Sequence, residues 1–96
     1  MSTKVLSGVI IATPRPVLSR LQFRWRYTLE EQVAIELAEA SHPDATVRAT
    51  LRVLRQSLAE AQDIDPTDPR TVQGVQYHAI LGLIAPERVA QILAPV

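Results

Sequence analysis

The chain has 96 residues, with ten basic and ten acidic side chains, no cysteine, seven prolines and three glycines, and 47% apolar content. That describes one small soluble domain and excludes a large enzyme core, a disulfide framework and a cysteine-based zinc site. The longest apolar stretch, Val9 to Ala12, is far too short for a bilayer, and no small-residue cleavage pattern follows Lys4 and Val5 to Ala12, so no membrane or secretory role is expected.

The neutral total hides a dipole. Met1 to Tyr27 carries Lys4, Arg15, Arg20, Arg24 and Arg26 and no acid, a charge of +5, whereas the remainder carries −5. Residues 1–27 read as an extended, partly β, basic N-terminal arm and residues 28–96 as an acidic helical domain. Pro14 and Pro16 separate two segments of the arm, Val5 to Ala12 and Val17 to Arg26, by removing backbone donors and pushing Thr13 and Arg15 toward extended conformations. In the second segment Leu21, Phe23 and Trp25 alternate with Arg20, Gln22, Arg24 and Arg26, a period of two that puts the rings on one side of an extended chain. Such a segment needs a partner, and the arm is expected to lie on another surface as an added strand or clamped ribbon.

Helical signals begin at Thr28. Thr28 and Glu31 form a capping box, and the first predicted helix runs from about Leu29 to Ala40 with Val33, Leu37 and Ala40 on its buried stripe. Ser41, Asp44 and Pro43 in the first turn start a second helix, about Pro43 to Ala61, whose Val47, Leu51, Leu54 and Leu58 make a seam against another helix. Asp63 to Pro69 reads as a connector, with Asp68 capping and Pro69 opening a third helix, about Pro69 to Leu81, that buries Val72, Val75 and Ala79. Gly82 is a natural left-handed cap, Leu83 and Ile84 pack back, and Pro86 opens a short fourth helix through Leu93. The expected fold is mainly α, a bundle of about four short helices that must support one another by packing.

Chemistry-bearing patterns are sparse. Asp63, Asp65 and Asp68 alternate as calcium ligands can, yet lack the loop glycine and the distal bidentate glutamate, so turn formation by Asp65 and capping by Asp68 are expected instead. His42 and His78 have no metal-ligand spacing, and His78 reads as a half-buried packing residue. No nucleophile elbow or phosphate loop is present, so neither a catalytic residue nor a cofactor or metal site is assigned. The last two helices could pass for a DNA-reading pair, but the second offers only Arg88 and Gln91 beside Glu87, too few donors for phosphates and base edges. In the arm, cations and rings alternate out of phase, which suits a protein pocket with a charged rim better than nucleic acid. Arg20, Phe23, Arg24, Trp25 and Arg26 are therefore the candidate partner-binding residues, the competing reading being that Leu21, Phe23 and Trp25 pack onto the chain's own helices.

The run Phe23-Arg24-Trp25-Arg26-Tyr27-Thr28, with Glu31, Val33, Ala34, Ile35 and Glu36, then Ile64-Asp65, Asp68-Pro69-Arg70-Thr71, Gly74-Val75, Gly82-Leu83-Ile84, Glu87-Arg88 and Ile92-Leu93, resembles small proteins encoded among the tail genes of tailed bacteriophages. The likeness covers about Leu21 to Leu93 and rests on helix caps and core positions. It implies a non-enzymatic virion structural protein, made in the host cytoplasm and carried in the tail. That protein is expected to be an accessory of the tail tip or baseplate, present in several symmetry-related copies and attached to a larger phage structural protein through its arm. The alternative is a tail assembly factor, or a small regulatory or anti-host protein that binds nucleic acid or a host protein.

Overall fold

The computed structural model describes residues 17–96. Its elements, in chain order, are β1 (Leu18–Ser19), α1 (Arg20–Arg24), α2 (Leu29–Ser41), α3 (Ala45–Glu60), β2 (Asp63–Ile64), α4 (Pro69–Ile80) and α5 (Arg88–Ile92). The mainly helical class expected from the sequence is the class observed. The part of the predicted arm that falls on residues 1–16 lies outside the described residues.

Residues 17–26 depart from the extended reading. Only Leu18 and Ser19 are strand, paired antiparallel with Ile64 and Asp63 respectively. The chain then turns into α1, because Ser19 and Gln22 form a second capping box: the Ser19 hydroxyl accepts from the Gln22 amide at 3.0 Å, and the Gln22 side chain accepts from the Ser19 amide at 2.8 Å. In a helix the alternating side chains no longer share a face. Phe23 turns inward together with Tyr27, four residues on, while Leu21 and Trp25 turn outward. A period-two pattern by itself suits a strand, because it contains no sign of which ring has a place in the interior.

The later elements obey their caps. Thr28 and Glu31 bond reciprocally at 3.1 and 2.8 Å and start α2. Asp44 caps α3 through the Thr46 amide, so Pro43 lies just before the cap and not inside the first turn. Asp68 caps α4 through the Arg70 amide, with Pro69 following. At the far end of α4, Gly82 adopts φ +76°, the Gly82 amide donates to Ala79 and the Leu83 amide to His78, a left-handed C-terminal cap.

The core gathers Leu18, Phe23, Tyr27, Ile64, Val75, Ile84 and Ile92 from the two strands, the α1 region, α4 and the C-terminal segment. Leu51 is fully buried in the seam of α3, flanked by half-buried Val47, Leu54 and Leu58, as the four-three-four spacing predicts. Full burial of Leu51, Val75 and Ile92 stabilises the fold by about 1.5–3 kcal/mol each relative to leaving them exposed. One prediction for α2 fails: Val33, Leu37 and Ala40 are exposed, and the inward side is made by Glu31, Ala34, Ile35 and Ala38. The helix carries apolar residues on both sides, and the inward side is the one whose Ile35 packs against the core cluster and whose Glu31 meets Arg88.

Candidate functional site

The five predicted attachment residues are distributed between the interior and the surface. Phe23 is buried, its ring edge-on to Tyr27 with centroids 6.0 Å apart. Arg20 donates to the Ala59 carbonyl in the last turn of α3. The Arg24 Nε donates to Gln32 Oε1 at 2.9 Å, and the Gln32 amide in turn donates to the carbonyls of Arg24 and Tyr27. Arg26 donates to the carbonyls of Ile92 and Ala94, where free C-terminal carbonyls of α5 and positive charge are complementary. Four of the five are thus engaged within their own subunit. The Trp25 side chain, 60% exposed, stands out.

Behind this region lies a polar network that the sequence did not reveal. The Arg88 guanidinium spans Glu31 bidentately, Nε to Oε2 at 2.8 Å and Nη2 to Oε1 at 3.0 Å, and also donates to the Arg26 carbonyl at 2.7 Å. Glu31 therefore serves both the α2 cap and a bridge to α5. The hydrogen bond from Arg88 and the donor at Thr28 hold its carboxyl below the usual range, against the opposing effect of burial. Next to it, the Tyr27 hydroxyl lies 2.8 Å from His78 Nδ1, with the rings edge-on at 5.5 Å. Burial raises the Tyr27 pKa and lowers that of His78 to about 4. Both are then neutral at pH 7, so the tyrosine donates and the histidine accepts, with its proton on Nε2. The arrangement locks the α1–α2 junction onto α4 and α5.

The other chemistry-bearing candidates have local duties. Asp65 Oδ1 accepts from the amide and hydroxyl of Thr67, and Asp68 caps α4 and pairs with Arg70. His42 Nδ1 accepts from the Asp44 amide. Among the described residues no cluster of three or more His, Cys, Asp or Glu could hold a metal ion, and no described helix is long and apolar enough to cross a membrane.

What the surface does offer is an apolar row. Leu21 and Trp25 share the outward side of the α1 region, and Leu29, Val33 and Leu37, each four residues from the last, follow along the outward side of α2. The Arg24–Gln32 bond ties the two parts together. Exposure of Leu21, Trp25, Leu29 and Leu37 is 60% or more, values that leave most of each side chain in water. Leu21 could have been found from its four-residue spacing to Trp25; Leu29 continues the spacing of Val33 and Leu37, the two that the sequence places on the buried stripe because nothing local distinguishes an outward apolar stripe from an inward one. A second apolar feature is an open depression of about 420 Å³ on α3 lined by Ala45, Thr46, Ala49, Thr50 and Val53. Comparison of the chain with protein-family profiles, with curated proteins and with solved structures finds no match.

Proposed function

We propose that this protein is a non-catalytic attachment module that docks on a larger protein, and that it serves as a small accessory of a tailed-phage tail tip or baseplate. One observation carries the docking part: the chain's only tryptophan stands out in water at the head of the Leu21, Trp25, Leu29, Val33, Leu37 row, two positions from a phenylalanine that is fully engaged in the core. Several exposed large apolar side chains at four-residue spacing on a small body are what a protein interface uses, and tryptophan is among the residues that dominate interface energetics. The network of Arg88, Glu31, Tyr27 and His78 fixes the backbone that presents this row, so little ordering entropy is lost on docking. Placement in the phage tail is supported by the resemblance of Leu21 to Leu93 to tail-gene proteins.

Mass spectrometry of purified particles tests the reading. The chain is expected in finished particles in fixed copy number, and the Leu21→Ala/Trp25→Ala double variant is expected to be lost from them while keeping wild-type helicity. Absence of the wild-type chain from particles, with presence in infected cells, would reassign it as an assembly factor or host-directed protein. Normal incorporation of the double variant would remove the row from its docking role.

A further inference from the structure

We infer that the outer face of the α2–α3 hairpin is the contact between two copies of this chain, with α2 of each copy lying over α3 of the other. The inference rests on the docking reading above only in treating the row as an interface: it gives Leu29, Val33 and Leu37 to a second copy and leaves Leu21 and Trp25 to the larger protein. Helix period builds the face. The inward residues of α2 are Glu31, Ala34, Ile35 and Ala38, and those of α3 are Val47, Leu51, Leu54 and Leu58. The opposite sides of both helices therefore point away from the core. On α2 that side carries Leu29, Val33 and Leu37, and on α3 it carries Ala45, Ala49 and Val53, each series at four-residue spacing and every member exposed. One helix thus presents a ridge of large apolar side chains. Beside it the other presents the open depression of about 420 Å³ lined by Ala45, Thr46, Ala49, Thr50 and Val53.

Shape, charge and area all fit a second copy. A two-fold axis running along the hairpin, between its helices, sets the ridge of each copy against the depression of the other, and ridges into grooves is how helices pack. The Glu39–Arg55 bridge, at 2.8 Å, fixes the level of the two helices and so brings Leu37 of each copy over the Ala49–Val53 stretch of the other. An axis across the hairpin stacks ridge on ridge and leaves the depression unfilled, which is the poorer packing. The strip between the two series holds Glu36 and Glu39 with Arg52 and Arg55. Arg55 bridges Glu39 and also acts on Glu36, and Arg52 acts on Glu39, so these charges cancel within each copy. Two such strips meet without net repulsion. Helix faces of three turns, about 16 Å long and about 9 Å apart, offer about 500 Å² from each copy. The pair then buries about 1,000 Å², the lower bound of a specific interface, and a dimer that forms in the micromolar range follows.

Sedimentation of the purified full-length chain, from low to high micromolar concentration, is expected to show a monomer passing to a dimer. Leu37→Lys on the ridge and Ala49→Glu in the depression are each expected to weaken the dimer by at least about tenfold, the scale of losing a central apolar anchor. Both positions are exposed and helical, and circular dichroism checks that helicity is kept. An equimolar mixture of the two variants is expected to recover the dimer. In the mixed pair the introduced ammonium meets the introduced carboxylate at one contact, and the other contact keeps Leu37 over Ala49. Ridge-on-ridge pairing gives no such recovery, because the two changed positions never meet in it. Leu21→Ala/Trp25→Ala is expected to dimerise as the wild type does. A monomer at every concentration overturns the inference, as does a dimer that neither single variant weakens, a mixture no stronger than its parts, or loss of the dimer in Leu21→Ala/Trp25→Ala. A chain found in particles yet monomeric when purified refutes this inference alone; one that dimerises but is missing from particles refutes only the tail assignment.

Discussion

Lowering the pH from 7.5 to 5 should weaken the fold through one side chain, His78. In the folded chain its Nδ1 accepts the Tyr27 hydroxyl at 2.8 Å and its ring is half-buried, so protonation removes an acceptor and places a charge in a poorly solvated site. The pKa accordingly falls from 6.5 to about 4. The unfolded chain binds the proton near pH 6.5 and the folded chain resists until about pH 4. This contribution is therefore complete above pH 6.5, declines as pH falls through the interval down to about 4, and then levels off. Integrated between pH 7.5 and pH 5, that difference amounts to a loss of about 2 kcal/mol. The depressed carboxyls of Glu31, Glu39 and Asp68 act in the same direction but at lower pH, since their stabilisation is present above their unfolded values of 4.5 and 3.8 and is lost on falling below them. Urea denaturation at the two pH values reads the effect as a lower midpoint with an unchanged slope. His78→Phe keeps a ring beside Tyr27 but cannot titrate. It should lose about 1–2 kcal/mol at pH 7.5 from the unpaired hydroxyl and show a much smaller drop at pH 5. An equal drop in wild type and His78→Phe, or none in wild type, would refute the assignment.

Two further substitutions separate the surface from the core. Phe23→Ala should cost about 3–5 kcal/mol by opening a cavity beside Tyr27, whereas Trp25→Ala, two residues away and 60% exposed, should change stability by no more than about 0.5 kcal/mol; thermal or urea unfolding of both variants checks the contrast, and equal costs would contradict the orientation of α1. Gly82→Ala places a Cβ at φ +76° where no atom lies within 4 Å, so its cost of about 1 kcal/mol comes from backbone strain alone, and Gly82→Asn should recover part of it in the same assay.

The helix ends were legible in the sequence because capping is local chemistry. Thr28 with Glu31 and Asp68 with Pro69 need only their own neighbours to satisfy the free amides of a first turn, and Gly82 needs only its own freedom to take a positive φ. The seam of α3 was legible too, since Val47, Leu51, Leu54 and Leu58 put the large apolar side chains of that helix at four-three-four spacing, with only Val53 among its large apolar residues off the stripe. Where local order admitted two answers, tertiary packing chose. The alternation of Leu21, Phe23 and Trp25 suits a strand, but Phe23 joins the core cluster edge-on to Tyr27, and the helix that presents it there turns Leu21 and Trp25 to water. In α2 both sides are apolar, and packing against the core, where Ile35 sits, selected the face carrying Ala34, Ile35 and Ala38, leaving Leu29, Val33 and Leu37 outside. The bridge from Glu31 to Arg88 joins residues 57 positions apart, and the bond from Tyr27 to His78 joins residues 51 apart. No periodicity or spacing encodes such pairs, because they exist only once the core has brought the α1–α2 junction against α4 and α5.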